Sequence, residues 1–118
     1  MVSQPSPVAV AGGRVFTSLV VGERHTCGLE TGTGTAWCWG WNGYGQLGDG
    51  TAGTDRRSPV AVKGGRAFVS LVAGQQHTCG LEAGTGTAWC WGWNDDGQLG
   101  DGTSGTDRSV PVAVIRRV

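Results

Sequence analysis

The sequence lacks an excess of charge of either sign and lacks any long apolar run. Nine basic residues balance nine acidic ones over 118 positions, and no basic stripe offers the phosphate-neutralising surface of a nucleic-acid-binding protein. The longest apolar runs, such as LVV at residues 19–21, fall far short of the roughly 20 residues that span a bilayer. The N-terminal residues also lack the basic and apolar regions of a secretory signal. We therefore expect a soluble chain with no nucleic-acid or membrane partner, and the sequence assigns no cellular compartment.

Helical periodicity and catalytic clusters are also missing from the sequence. No segment places apolar residues at helical spacing over ten residues. No acid, base and nucleophile are grouped in the way that an active site requires. We predict that the chain is not an enzyme and that it binds no cofactor and no metal.

The dominant feature that the sequence does contain is an internal repeat. Residues 7–58 align with residues 59–110 without a gap at 40 identities in 52 positions, and residues 111–118 start a third copy with PVAV. Periods of this length are typical of propellers, solenoids and arrays. The two units leave no room for a second domain, so residues 1–118 are predicted to form one fragment. Such near-identity indicates recent duplication or an engineered, idealised unit, and we favour the engineered origin.

Each copy of the repeat shows four short strands separated by glycines. Period-2 alternation predicts strands at residues 14–21, 25–30, 35–41 and 59–62, and again at residues 66–73, 77–82, 87–93 and 111–114. Residues 7–10 add a further PVAV. Four antiparallel strands per 52 residues describe a propeller blade, so the predicted fold class is all-β with two blades per chain.

The repeat motifs carry a family resemblance. HTCGLE, then AWCWGWNGYGQLGDG, then PVAV and an SLVVG or SLVAG strand resemble the repeat of the regulator of chromosome condensation family, whose members form seven-bladed propellers. The resemblance implies blade architecture more than function, because members of this family serve as an exchange factor for a small GTPase, as an inhibitor of β-lactamases and as other interaction platforms. Those activities reside in insertions and loop residues. These minimal repeats show no matching insertion, so no functional residue is carried over.

The glycine-rich loop after the third strand has the spacing of a dinucleotide-binding fingerprint. In the second copy, however, Asp95 replaces Gly43, and a carboxylate there would repel pyrophosphate. No helical pattern follows the loop to receive a phosphate. We predict a structural loop, in which Asp49 and Asp101 bond their own backbone in turns. Its residues are Gly45, Gln46, Leu47, Gly48 and Asp49, with the counterparts Gly97, Gln98, Leu99, Gly100 and Asp101.

The four cysteines form two opposed pairs in the predicted hairpins. A turn centred on residues 32–33 places Cys27 opposite Cys38, and Cys79 opposite Cys90, within reach of a disulfide. A two-residue turn would make the pair a hydrogen-bonded one, whereas a four-residue turn at residues 31–34 would make it the more easily bridged non-hydrogen-bonded one. We favour a disulfide in each blade over buried free thiols. A Cys–His metal or nucleophile site using His25 is the third alternative, although His25 fits better as a hydrogen-bonding residue at a strand start.

The tryptophans alternate onto one face of the third strand. Such side chains either stack on sugars and bases or pack one blade against the next, and we favour packing. They are Trp37, Trp39 and Trp41, with Trp89, Trp91 and Trp93.

The positions at which the two copies differ suggest a partner surface on the rim. They include Tyr44 and its replacement by Asp96, with Asp95 beside it. Arg56, Arg57 and Arg108 are expected to be solvated loop charges.

Closure of the ring is the physical problem that two blades leave open. A blade buries its faces only against neighbouring blades. We predict a ring-shaped homo-oligomer with head-to-tail contacts, in which three chains give six blades or four give eight. Residues 8–10 then either cover an edge of a neighbouring subunit or stay disordered. The leading function is a structural, self-assembling propeller fragment without catalysis, and the alternative is a protein- or ligand-binding module that uses its rim loops.

Overall fold

The structure, a computed structural model, describes residues 10–95, 97 and 99–114. This part of the chain consists of strands, turns and loops, with no helix. The strands of the first repeat are β1 (Phe16–Val21), β2 (His25–Glu30), β3 (Ala36–Gly40) and β4 (Arg56–Ala61). Those of the second are β5 (Phe68–Ala73), β6 (His77–Glu82), β7 (Ala88–Gly92) and β8 (Arg108–Ala113).

Each set of four strands forms one antiparallel sheet, in the order β1-β2-β3-β4 and β5-β6-β7-β8. We call these sheets blade 1 and blade 2. The all-β fold class and the two four-stranded units predicted from the sequence are confirmed. In the further PVAV, residues 7–9 lie outside the described residues.

The central hairpin of each blade has the predicted register. Cys27 lies opposite Cys38. The amide of Glu30 donates to the carbonyl of Thr35 at 2.9 Å, which encloses the four-residue turn 31–34. Counting back from that hydrogen-bonded pair makes the cysteines a non-hydrogen-bonded pair, in which Cα atoms approach most closely. The Cα–Cα distance of 4.1 Å agrees with this assignment.

The outer strands differ from the prediction at their N-terminal ends. β4 starts at Arg56, three residues before the predicted start, and runs through Pro59. The register with β3 shifts between the pairs Cys38–Val60 and Gly40–Arg56, and Pro59 has no partner in it. Proline has no amide proton to donate, but it is tolerated at such an irregular edge position. Pro59 therefore lies inside β4 and does not mark its start.

The hydrophobic core lies between the two blades. The two faces of each sheet are chemically different, because cysteines and tryptophans alternate along the third strand. We call the cysteine side the outgoing face and the tryptophan side the incoming face. In blade 1 the outgoing face carries Cys27, Leu29, Ala36 and Cys38, all buried. In blade 2 the incoming face carries Phe68, Leu71 and Trp91, also buried. These two faces pack on each other with Leu47 and Val62 to form the joint.

Candidate functional site at the blade joint

Trp91 is the largest fully buried side chain of the joint. It packs with Phe68 at a ring-centroid distance of 6.0 Å, and the buried disulfide of blade 1 belongs to the same cluster. Burying one tryptophan removes on the order of 150–250 Å² from water, which corresponds to an upper estimate of about 4–6 kcal/mol. The joint is therefore an apolar contact that stabilises the packing of the two blades.

Both predicted disulfides are present in the structure, between Cys27 and Cys38 and between Cys79 and Cys90. Bonded sulfurs are not available as thiolate ligands or nucleophiles, so the Cys–His alternative does not describe this structure. No group of three or more potential metal ligands occurs among the described residues. The first disulfide is buried in the joint, whereas Cys79 of the second is partly exposed.

Asn42 anchors the glycine-rich loop from within. Its side-chain NH₂ group donates to the carbonyls of Thr51 and Thr54 at 3.0 and 3.2 Å, and its Oδ1 accepts from the amide of Leu47 at 3.1 Å. Its own amide donates to Asp55 at 3.0 Å. Asn94 repeats this arrangement in blade 2. Sequence reasoning missed both residues, although an asparagine retained in both copies just before a glycine-rich stretch was a usable signal.

The loop needs glycine where it meets the next blade. Gly48 has a φ of +71°, and a Cβ atom there would lie 2.7 Å from the indole nitrogen of Trp91. Gly45 has a φ of +78°, and its added Cβ would lie 2.7 Å from the Cα of Ser109. The amide of Gly50 donates to the carbonyl of Ser109 at 2.9 Å. These glycines bring the backbone of the loop against blade 2, and no helix follows them to form a phosphate site. In the second loop, Gln98 lies outside the described residues.

Asp49 closes the far side of the loop. Its Oδ1 accepts from the amide and the hydroxyl of Thr51 at 3.0 and 2.6 Å, as predicted for a turn, and its Oδ2 accepts from Arg56 at 3.1 Å. Burial opposes ionisation, but the hydrogen bonds from Thr51 and Arg56 outweigh it and hold the pKa of Asp49 below its ordinary value. Asp101 pairs with Arg108 in the same way. The expectation that Arg56 and Arg108 are solvated loop charges was wrong, because each begins an outer strand and pairs with the aspartate of its own loop. Arg57 is exposed.

His25 begins a chain of polar contacts across the joint. Thr78 donates its hydroxyl proton to the carbonyl of Gln46 at 3.1 Å, so it accepts a proton from Nε2 of His25 at 2.9 Å. Nε2 of His25 therefore carries a proton. Burial, reinforced by the charge of His77, lowers its pKa to about 4.

A second polar chain runs along the rim of the joint. Gln46 donates to Gln76 at 3.0 Å, and Gln76 donates to Glu23 at 2.6 Å. The ring of Tyr44 lies beside Trp41 at 5.2 Å and Trp93 of blade 2 at 6.0 Å. The structure thus places Tyr44 half-buried at the joint, while Asp95 is exposed and Asp96 lies outside the described residues.

The remaining tryptophans surround the incoming faces. The indole N–H groups of Trp37 and Trp89 donate to Glu30 and Glu82 at 2.9 and 3.0 Å. A guanidinium covers each of these rings at 3.5 Å, from Arg14 and Arg66. Trp39 stacks on Phe16 at 5.8 Å but is only half-buried.

Within the described residues, two faces equivalent to those of the joint are uncovered. Leu71 is 6% exposed inside the joint, whereas Leu19, at the same place in blade 1, is 54% exposed. Leu29 is 6% exposed, whereas its counterpart Leu81 is 44% exposed. An apolar cleft of about 320 Å³ opens on the outgoing face of blade 2, lined by Leu81, Ala88 and the second disulfide. The described residues therefore form one filled joint. The incoming face of blade 1 and the outgoing face of blade 2 correspond to the two sides of such a joint.

Known proteins match both the sequence and this architecture. The model of the regulator of chromosome condensation (RCC1) repeat matches residues 33–81 and 85–117, and a second model of that repeat matches residues 16–46 and 68–98. The chain is 34% identical over 112 residues to the ultraviolet-B receptor UVR8 of Arabidopsis thaliana, covering 93% of this chain and 24% of the receptor.

Solved structures of the same fold include Prp20p of Saccharomyces cerevisiae and human WBSCR16. Prp20p matches 92% of this chain and 27% of its own, with a TM-score of 0.77 and 23% identity. WBSCR16 matches 87% of this chain and 26% of its own, with a TM-score of 0.75 and 23% identity. The protein belongs to the RCC1 repeat family of β-propellers. It spans about a quarter of the length of the relatives that it matches.

Within the described residues, the structure contains no helix of the length and apolarity needed to cross a membrane.

Proposed function

We propose that this chain is a structural, protein-binding segment whose two uncovered blade faces bind further blades of the same kind, without catalysis. The observation that carries the proposal is the contrast between the filled joint and its uncovered counterparts. Leu19 and Leu81 are exposed only because no blade lies against them, since Leu71 and Leu29 are buried where one does. Covering such apolar surface is the main favourable term in protein association.

The proposed unit is one two-blade fragment, with repeats at residues 7–58 and 59–110 and the start of a third at residues 111–118. Ring closure by several copies completes the propeller, and trimers or tetramers give six or eight blades. The near-identity of the repeats supports recent duplication or engineering, and engineering is our preferred origin. The two disulfides favour an oxidising setting, because reducing compartments keep thiols reduced.

Light scattering on the purified chain tests this function. We expect a native mass that is a multiple of 12.1 kDa and that decreases on dilution. The variant Leu81→Asp places a carboxylate in the open cleft and is expected to abolish the assembly, while Ser104→Asp in an exposed loop of the same blade leaves it unchanged. A folded monomer at every concentration would contradict the proposal.

A second candidate function is binding of an unrelated protein through the rim. It is favoured by the exposed Asp95 beside Asp96, and by the relatives, since Prp20p is described with binding properties to Gsp1p and histones. Fluorescence anisotropy with labelled histones tests it. Binding that is lost in the variant Asp95→Asn/Asp96→Asn would support it, and absence of binding by the native chain would exclude histones as the partner.

A further inference from the structure

We propose that the blade bound by the outgoing face of blade 2 is blade 1 of a second copy of this chain, and that opposite charges on the two uncovered faces select this head-to-tail order. The inference rests on the proposed function and names the partner of the same site. The charges are Asp95 and Asp96, which take the places of Gly43 and Tyr44 in the second repeat, and Arg24 and Arg57 of blade 1.

The filled joint shows which positions meet when two blades dock. Tyr44 of the blade 1 loop lies beside Trp93, whose amide donates to the carbonyl of Gln76 at 3.0 Å. Gly45 approaches the Cα of Ser109. Gln46, the next residue of the loop, donates to Gln76 at 3.0 Å. Loop positions 44–46 therefore face positions 76, 93 and 109 of the next blade, and position 43 adjoins them. In the filled joint, Gly43, Tyr44, Gln76 and Ser109 are all uncharged at these positions.

Four positions of the uncovered faces carry charged residues where the filled joint has uncharged ones. By the repeat of 52 residues, Gly43 and Tyr44 become Asp95 and Asp96. Gln76 and Ser109 correspond to Arg24 and Arg57. The copies differ at only 12 of 52 positions, and four of those differences replace uncharged residues by two aspartates in the second loop and two arginines in blade 1.

These charges are available to a partner. The side chain of Arg24 is 62% exposed, and its contact with Glu23 is long, at 4.0 Å. Arg57 and Asp95 are also exposed. Asp96 is included because the repeat aligns it with Tyr44, which lies at the filled joint. Docking two incoming faces would bring arginines together, and docking two outgoing faces would bring aspartates together. Like charges thus disfavour both symmetric arrangements, while the head-to-tail arrangement pairs opposite charges.

The apolar centre of the contact fits a second copy of this chain but does not determine the order in which the blades dock. Phe16, Leu19 and Trp39 have the same identities as the residues that fill the joint, and so do the residues that line the cleft of blade 2. Any blade of this repeat would fit that cleft. The shared apolar residues supply affinity, and the four charged positions supply the order.

Charge reversal tests the inference by light scattering. The variant Asp95→Arg/Asp96→Arg carries cations on both open faces, and the variant Arg24→Asp/Arg57→Asp carries anions on both. Each alone is expected to dissociate at a concentration about tenfold or more above that of the native chain. An equimolar mixture is expected to regain association, because each face of one variant then matches a face of the other. A ring of four chains can alternate the two variants at every joint, whereas a ring of three keeps one mismatched joint and is expected to recover only in part. Recovery on mixing also shows that both variants are folded.

The outcomes separate the inference from the proposed function. If the native chain assembles and Leu81→Asp disrupts it, but the charge reversals have no effect or mixing restores nothing, the charge-selected order is overturned and the proposed function stands. If the native chain is a monomer throughout, both fall. Lys63→Asp is the matched control. It reverses an exposed charge outside the four charged positions, so the concentration needed for assembly is expected to stay unchanged.

Discussion

Blade 1 and blade 2 have nearly the same sequence, yet the same residue is buried in one and exposed in the other. Trp91 is fully buried while Trp39 is half-exposed, and Cys27 is buried while Cys79 is partly exposed. The hairpin register is identical in the two blades, so local sequence determines strands and pairing. Burial instead depends on which neighbour lies against each face. The duplicated chain therefore supplies an internal control for what a blade gains from being docked.

Replacing the tryptophans by alanine is expected to break this comparison most strongly. Trp91→Ala leaves a cavity in the joint and should lower the free energy of unfolding by about 3–5 kcal/mol. Trp39→Ala, measured by urea denaturation at a concentration where the chain is monomeric, should cost clearly less. Equal losses for both variants in the monomer would show that docking does not account for the difference.

The two disulfides should be alike in stability and unlike in reactivity. Both close hairpins with a sequence separation of 11, so replacing either pair by alanines should cost about 3 kcal/mol on the chain-entropy model. Because Cys27 and Cys38 are buried in the joint, limited reductant followed by alkylation and mass mapping should label Cys79 and Cys90 first. Simultaneous labelling of all four would argue against a stable joint.

The two histidines sharpen the comparison through pH. The pKa of His25 is lowered from 6.5 to about 4, so the unfolded state binds the proton more readily in that interval and stability falls as the pH is lowered through it. Between pH 7 and pH 5 the loss from this one group should be roughly 2 kcal/mol. His25→Gln should flatten this part of the stability profile, measured by urea denaturation at each pH. Burial lowers the pKa of His77 too, so His77→Gln is the matched control, with a smaller effect expected. An unchanged profile in His25→Gln would contradict the lowered pKa of His25.

The glycines of the two loops give the smallest expected difference. Gly48 and Gly100 both have positive φ, so alanine at either position costs on the order of 1–2 kcal/mol in backbone strain. Only Gly48 faces Trp91, at 2.7 Å from an added Cβ, while the corresponding contact of Gly100 is to Val114 at 3.1 Å. Gly48→Ala should therefore be the more destabilising of the two in thermal unfolding of the monomer. The reverse order would show that the loop does not press on the next blade.

Sequence reasoning reached the parts of the fold that depend on local pattern. The turn centred on residues 32–33 placed Cys27 opposite Cys38 correctly, and this inference required no knowledge of neighbouring blades. The start of β4 was missed because Pro59 resembled a boundary, and the pairing of Arg56 with Asp49 depends on that longer strand. The role of Asn42 was also missed, since its partners at Thr51, Thr54 and Asp55 are brought together only by the folded loop. Contacts across the joint, such as His25 with Thr78, need the relative placement of two sheets, which no local pattern contains.

The anchoring of the loop by Asn42 has a consequence for how such repeats diversify. Its contacts use Leu47, Thr51, Thr54 and Asp55, and none of them involves the side chains at positions 43 and 44. Substitutions at these two positions therefore leave the Asn42 hydrogen bonds of the loop in place, as the second copy shows with Asp95 and Asp96 in the loop that Asn94 anchors. A duplicated repeat can therefore change its specificity for the neighbouring blade through these two positions without losing the fold of its loop.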